Sequence, residues 1–151
     1  VNATSVSLVL DGLQVHSSGG SGASKKLTLP AYTLPAHKAI VVFGGGATLS
    51  TSAGAFGGAR VFAVRRDGTT GDNKGQGLSL TNSGGNSVTL KSADGATDLA
   101  TVTWNAPLAG NVNASITRTT DGVANDFVLH TTASTTQAKQ SPGTRADGTA
   151  F

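Results

Sequence analysis

Gly77-Leu78-Ser79-Leu80-Thr81-Asn82-Ser83-Gly84-Gly85-Asn86-Ser87-Val88-Thr89-Leu90, continuing through Asp94-Gly95 to Asp98-Leu99-Ala100-Thr101-Val102-Thr103-Trp104, decides the fold class. Apolar residues recur at alternate positions and glycine-bearing turns divide the stretch into short segments, so it predicts three strands. Leu78 and Leu80 share a face in the first, and Val88 and Leu90 in the second. In the third, Ala100, Val102 and Trp104 lie on one face, with Thr101 and Thr103 on the other. Such alternation describes antiparallel strands with one wet and one dry face.

Working outward, Val6, Leu8 and Leu10 alternate ahead of an Asp11-Gly12 turn, and Leu13 and Val15 open the next strand. Ser17 to Gly22 has linker composition, but is too short to divide two domains. Leu27 and Leu29 precede Pro30. Ile40-Val41-Val42-Phe43, bounded by Gly44-Gly45-Gly46, reads as a strand buried on both faces. Val61 to Val64, Ser115 to Arg118 and Phe127 to His130 supply further strands, and residues 131–151 form an extended polar tail. The pattern predicts one all-β domain over residues 1–151, an antiparallel β-sandwich of about nine short strands. No fixed period recurs, which disfavours a β-helix.

Composition agrees with strands and turns. Hydrophobic residues make up 37% of the 151, enough for a core at a length that buries roughly 70% of the unfolded surface. The chain contains no Glu, Met or Cys, so strong helix formers are scarce and disulfides and thiolate chemistry are excluded. Only 13% of residues are charged; a surface of Ser, Thr, Gly and Asn predicts an exported protein, extracellular or at a cell surface, with the periplasm as the alternative. No segment approaches the roughly 18 apolar residues of a membrane span. The opening Val1-Asn2, without an initiating Met, is what a trimmed or excised piece would show.

The residues also resemble the lamin-tail domain, an immunoglobulin-like β-sandwich found in nuclear lamins and in exported bacterial proteins. Leu29-Pro30-Ala31-Tyr32-Thr33-Leu34-Pro35-Ala36-His37-Lys38-Ala39-Ile40-Val41-Val42-Phe43 is similar to its paired leucine-proline signature and following apolar strand. Gly77 to Leu90 looks like its leucine-serine-leucine hairpin, and Asp94-Gly95 to Trp104 like the next turn and strand. Ser115 to Arg118, Thr120-Asp121-Gly122 and Ser141-Pro142-Gly143-Thr144 match the closing segment. The resemblance covers about residues 4 to 145. The family's first strand usually carries a glutamate and ends in asparagine, and this chain has no Glu; Val1-Asn2 would be the stump of that strand. A missing edge strand would invite an edge-mediated oligomer.

The sequence offers few candidates for chemistry. The nucleophile-elbow pattern of serine hydrolases is absent. His16, His37 and His130 lie far apart in sequence and read as exposed or locally bonded imidazoles, without zinc-ligand spacing. The eight Asp fall mainly in turns, a poor match to paired catalytic carboxylates. Asp67, Asp72 and Asn73 share one polar loop with the oxygen donors calcium accepts, although the spacing misses the EF-hand pattern and no Glu closes it. Net charge is +3, but the eleven Lys and Arg are scattered. Trp104 is expected in the core or at its rim, while Tyr32, beside Pro30 and Pro35, is the better candidate for an exposed aromatic but reads first as a packing residue.

The leading reading is therefore a non-catalytic, immunoglobulin-like interaction or structural module of a larger exported bacterial protein. It would present the loops Gly19 to Lys26, Thr48 to Gly58 and Asp67 to Gly75 to a protein or cell-surface partner. The alternative, which lamin tails imply, is binding to DNA or another anionic surface through Arg60, Arg65, Arg66 and Lys74. A calcium-binding accessory domain of a secreted hydrolase ranks third, and any enzymatic activity is expected outside this chain.

Overall fold

Val15, between polar Gln14 and His16, is buried in a strand paired along both edges. The computed structural model describes residues 1–18, 24–43, 56–63, 78, 80, 84–104, 114–120 and 126–151. Ten strands occur among them: β1 (Leu8–Val9), β2 (Gln14–Ser17), β3 (Ser24–Thr28), β4 (Thr33–Leu34), β5 (Ile40–Phe43), β6 (Arg60–Ala63), β7 (Asn86–Lys91), β8 (Asp98–Trp104), β9 (Ile116–Arg118) and β10 (Phe127–Leu129). One helical turn, α1 (His130–Ala133), follows β10. The chain is thus all-β in class.

The largest unit is a four-stranded antiparallel sheet in the order β3-β2-β7-β8. Val15 stands opposite Leu27 on one side and Leu90 on the other, and Leu90 faces Ala100 in turn. This row is apolar, and Val15 and Leu27 are buried with Leu10, Leu29, Leu34 and Phe62. The neighbouring row, Lys25–His16–Thr89–Thr101, is polar, as the period of a strand requires. The β7–β8 turn falls at Asp94-Gly95, as the sequence predicts. The Gly95 amide donates to the Ser92 carbonyl at 2.9 Å, the Asp94 carboxylate accepts the Ala96 amide, and Gly95 takes φ 74°. That left-handed conformation comes without strain only to a residue lacking Cβ.

Three expectations are corrected. Neither Leu78 nor Leu80 lies in the strand predicted for them: Leu78 lies in a turn and Leu80 outside any strand, 49% exposed. Both edges of β7 are already taken by β2 and β8, so no place remains beside Val88 and Leu90. The Leu78 carbonyl instead accepts the hydroxyl of buried Ser17. Second, Ile40–Phe43 is not part of an antiparallel pair; β5 runs parallel to β6 in the register Ile40 to Arg60 and Val42 to Phe62. Parallel strands need a crossover of a dozen or more residues, which residues 44–59 are long enough to make. Ile40, Val41 and Val42 are half-buried rather than covered on both faces. Third, His130 does not end a strand but begins α1.

Two small antiparallel pairs complete the described fold, β1 with β4 and β9 with β10. Residues 131–151 turn back on the chain: the Ser115 amide donates to the Lys139 carbonyl at 2.9 Å, and Thr144 bridges to Ala150. Gly143 passes so close to Phe56 that a Cβ there would lie 2.0 Å from the Phe56 carbonyl oxygen.

The N-terminal residues are fastened by Asn2, which is 1% exposed. Its Nδ2 donates to the carbonyls of Val6, Leu34 and Pro35 at 2.8, 3.3 and 3.0 Å. Its Oδ1 accepts the amide and hydroxyl of Thr4 at 3.0 and 2.7 Å, and its own amide donates to the Lys38 carbonyl at 2.8 Å. Removing one partner of buried hydrogen bonds leaves the others unsatisfied, at about 1–3 kcal/mol. Asn2→Ala is therefore expected to lower unfolding free energy by about that amount. Urea denaturation at unchanged m-value checks it.

Candidate functional site

Of the residues the sequence nominates for anion binding, Arg60 is described: it is exposed at the start of β6, with its guanidinium 5.8 Å from the centre of the Phe62 ring. Arg65, Arg66 and Lys74, and the calcium candidates Asp67, Asp72 and Asn73, lie outside the described residues. Among the described residues no three His, Asp or other acidic ligands stand together as a metal would need. Nor is any helix there long and apolar enough to cross a membrane. Trp104 is half-buried opposite Asn86, and Tyr32, also half-buried, meets Phe62 edge-on at 5.8 Å.

His130 is the most deeply embedded titratable group among the described residues, 1% exposed. Its Nδ1 lies 2.8 Å from the Ala138 carbonyl, which can only accept, so the network assigns the ring proton to Nδ1. Nε2 then accepts the Ser141 hydroxyl at 2.6 Å. A hydroxyl beside an oriented imidazole has the bond pattern of a nucleophile and its base. Here the imidazole is enclosed, and both ring nitrogens are engaged in fastening residues 138–144 to the β10–α1 junction. The sequence held a clue in His130 at a strand end and in Ser141-Pro142-Gly143, but nothing in it joined the two.

A second cluster lies on the polar face of the four-stranded sheet. His16 Nε2 is 2.9 Å from Gln14 Oε1, and Gln14 also donates to the Ala93 carbonyl at 2.8 Å. Lys91 forms an ion pair with Asp98 across the β7–β8 hairpin. Partial burial of His16 pushes its imidazole below the ordinary value of 6.5, and the positive charges of Lys91 and Lys25 push the same way. Register sets this arrangement: His16 is opposite Lys25, while Gln14 is opposite Lys91.

The third cluster is a cleft of about 210 Å³ lined by Arg118, Thr119, Ala133, Arg145, Ala146 and Asp147. Arg118 closes β9 and lies over the Phe127 ring at 5.1 Å; the two residues are cross-strand partners. Arg145 lies over the Phe151 ring at the same distance and donates to the Ala150 carbonyl. A ring against one face of a guanidinium fixes its plane and leaves its N–H groups to act at the edge. Asp147 also borders the cleft, but its carboxylate accepts the Thr149 amide at 2.9 Å and the Thr149 hydroxyl at 2.7 Å. Those bonds, the amide's first, hold the carboxyl below its ordinary value, with Arg145 adding to the effect. Two guanidinium groups and the Asp147 carboxylate thus share one cleft. Sequence reasoning missed this pair because Arg118 and Arg145 are neither adjacent nor at a recurring spacing.

Comparison with protein-family models, with curated proteins and with solved structures finds no match to this chain.

The displacement of His16 gives a signed prediction. An imidazole depressed on folding binds its proton more readily in the unfolded chain, so its contribution to stability is present above 6.5. That contribution is lost as pH falls from 6.5 toward the folded-state midpoint. NMR titration of the ring should give a midpoint below 6.5, and Lys91→Gln should move it upward.

Proposed function

We propose that this chain is a non-catalytic binding module of the lamin-tail type, an immunoglobulin-like β-sandwich, acting within a larger exported bacterial protein at the cell surface or outside it. The all-β class and the ordered motifs from Leu29 to Thr144 support the family reading. The observation that carries the binding reading is the Arg118–Arg145 cleft. Guanidinium groups match the two oxygens of a carboxylate or phosphate bidentately, and held planes lose less entropy in doing so.

The size of the cleft favours a protein partner that inserts an acidic side chain or its terminal carboxylate. A cleft of about 210 Å³ accepts one such group, whereas duplex DNA would need a basic surface running along its backbone. Among the described basic residues, Arg60 belongs to the β5–β6 pair, Lys91 is tied to Asp98, and Arg118 and Arg145 line the cleft. DNA binding stays the alternative, through Arg60, Arg65, Arg66 and Lys74.

Fluorescence anisotropy with a labelled polyaspartate peptide and with labelled duplex DNA, at about 50 and 200 mM salt, separates these readings. A charge-assisted hydrogen bond contributes about 1.5–3 kcal/mol, so Arg118→Gln is expected to weaken peptide binding by about tenfold or more. Equal peptide affinity in wild type and Arg118→Gln would remove the cleft from the account. Tight, salt-steep DNA binding unaffected by Arg118→Gln would favour the alternative.

A further inference from the structure

The two outer strands of the four-stranded sheet are unlike each other. β3 carries Lys25 and Lys26 and a register shift against β2, and the shift leaves Lys26 buried. Charges and bulges are the devices by which natural sheets keep an edge from pairing with another chain. β8, at the other side, is the longest strand among the described residues, seven residues from Asp98 to Trp104. It pairs with β7 alone and meets no second strand among the described residues. Its one charge, Asp98, is tied to Lys91 beside the register shift at the start of the strand. From Ala100 to Trp104 there is no charge, no proline and no shift.

Leu99 is 51% exposed, Ala100, Thr101 and Thr103 are exposed, and Val102 and Trp104 are half-buried. A strand of β-branched and aromatic residues whose outer edge meets no other strand among the described residues is a template for another strand. Its sequence also selects an occupant. If a second copy pairs antiparallel about a two-fold axis at Val102, Ala100 comes opposite the partner's Trp104, and Thr101 opposite the partner's Thr103. A small residue then leaves room for a large one, threonines face threonines in a favourable cross-strand pair, and no like charges meet. The two Asp98 side chains fall at opposite ends of the ladder.

We propose that this protein associates with a second copy of itself through β8, joining two four-stranded sheets into one antiparallel sheet of eight strands with the two-fold axis at Val102. The alternating faces continue across the junction, so Val102 and Trp104 lie beside apolar neighbours from the partner, while Thr101 and Thr103 stay on the polar side. An isologous contact of this kind closes on itself and does not propagate.

A charge-swap pair tests both the contact and its register. Sedimentation of the full chain between about 10 and 500 μM should show a monomer–dimer equilibrium that mass action shifts with concentration. In Thr101→Lys/Thr103→Lys the introduced cations face each other across the axis, and dimerisation should weaken by about tenfold or more. In Thr101→Lys/Thr103→Glu opposite charges meet instead, and dimerisation should return. Both positions are exposed, and circular dichroism verifies each fold. On the unmutated chain, the outward amides of residues 100–104 should exchange more slowly at high concentration than at low. A wild type monomeric throughout, a Thr101→Lys/Thr103→Lys variant that dimerises normally, or a Thr101→Lys/Thr103→Glu variant that stays monomeric would each overturn the proposal.

Discussion

The pairing of β2 with β7, Gln14 to Ser17 against Val88 to Lys91, is the constraint on which the other elements depend. It joins segments more than seventy residues apart, a long loop to close before its hydrogen bonds can form. Val15 offsets that cost by entering the core formed with Leu10, Leu27, Leu29, Leu34 and Phe62. Once β2 is flanked on both sides, β7 has one edge left for β8, and Leu78 is pushed into a docking role. The same ladder partly buries His16 and sets it near Lys91 and Lys25, so that burial first, and then those charges, depress its imidazole.

Buried polar side chains are the second structural resource. Asn2, Ser17 and His130 are all enclosed, and each reaches backbone carbonyls or hydroxyls that no regular strand satisfies. A chain of short strands has many such orphaned groups, and leaving one unpaired would be costly. The groups with most potential for chemistry, above all His130 beside Ser141, are used as fasteners. At the surface, among the described residues, lie two guanidinium groups steadied by phenylalanine rings and an uncharged strand edge.

Much of the all-β class was legible because strand alternation has a period of two, and Asp94-Gly95 marks its hairpin turn directly. Val88 and Leu90 do share a face, and Ala100 and Val102 do stand opposite them. Strand direction was not legible: Ile40–Phe43 reads the same in a parallel or an antiparallel pair, since its partner Arg60–Ala63 is fixed only in three dimensions. Leu78 and Leu80 alternate as a strand would, yet tertiary competition for the edges of β7 decides against them. Asn2 reads as a surface residue by type, and its burial depends on carbonyls some thirty residues away. The Arg118–Arg145 cleft left no local signal, because β9 and the C-terminal turn bring the two together.

Amide hydrogen exchange followed residue by residue tests the central claim, that the β2–β7 ladder organises the chain. Ladder amides in Gln14–Ser17 and Val88–Lys91 should be among the slowest to exchange, opening only with global unfolding, while those of β1 and β4 exchange faster. Exchange in β2 and β7 as rapid as in β1 would contradict the account.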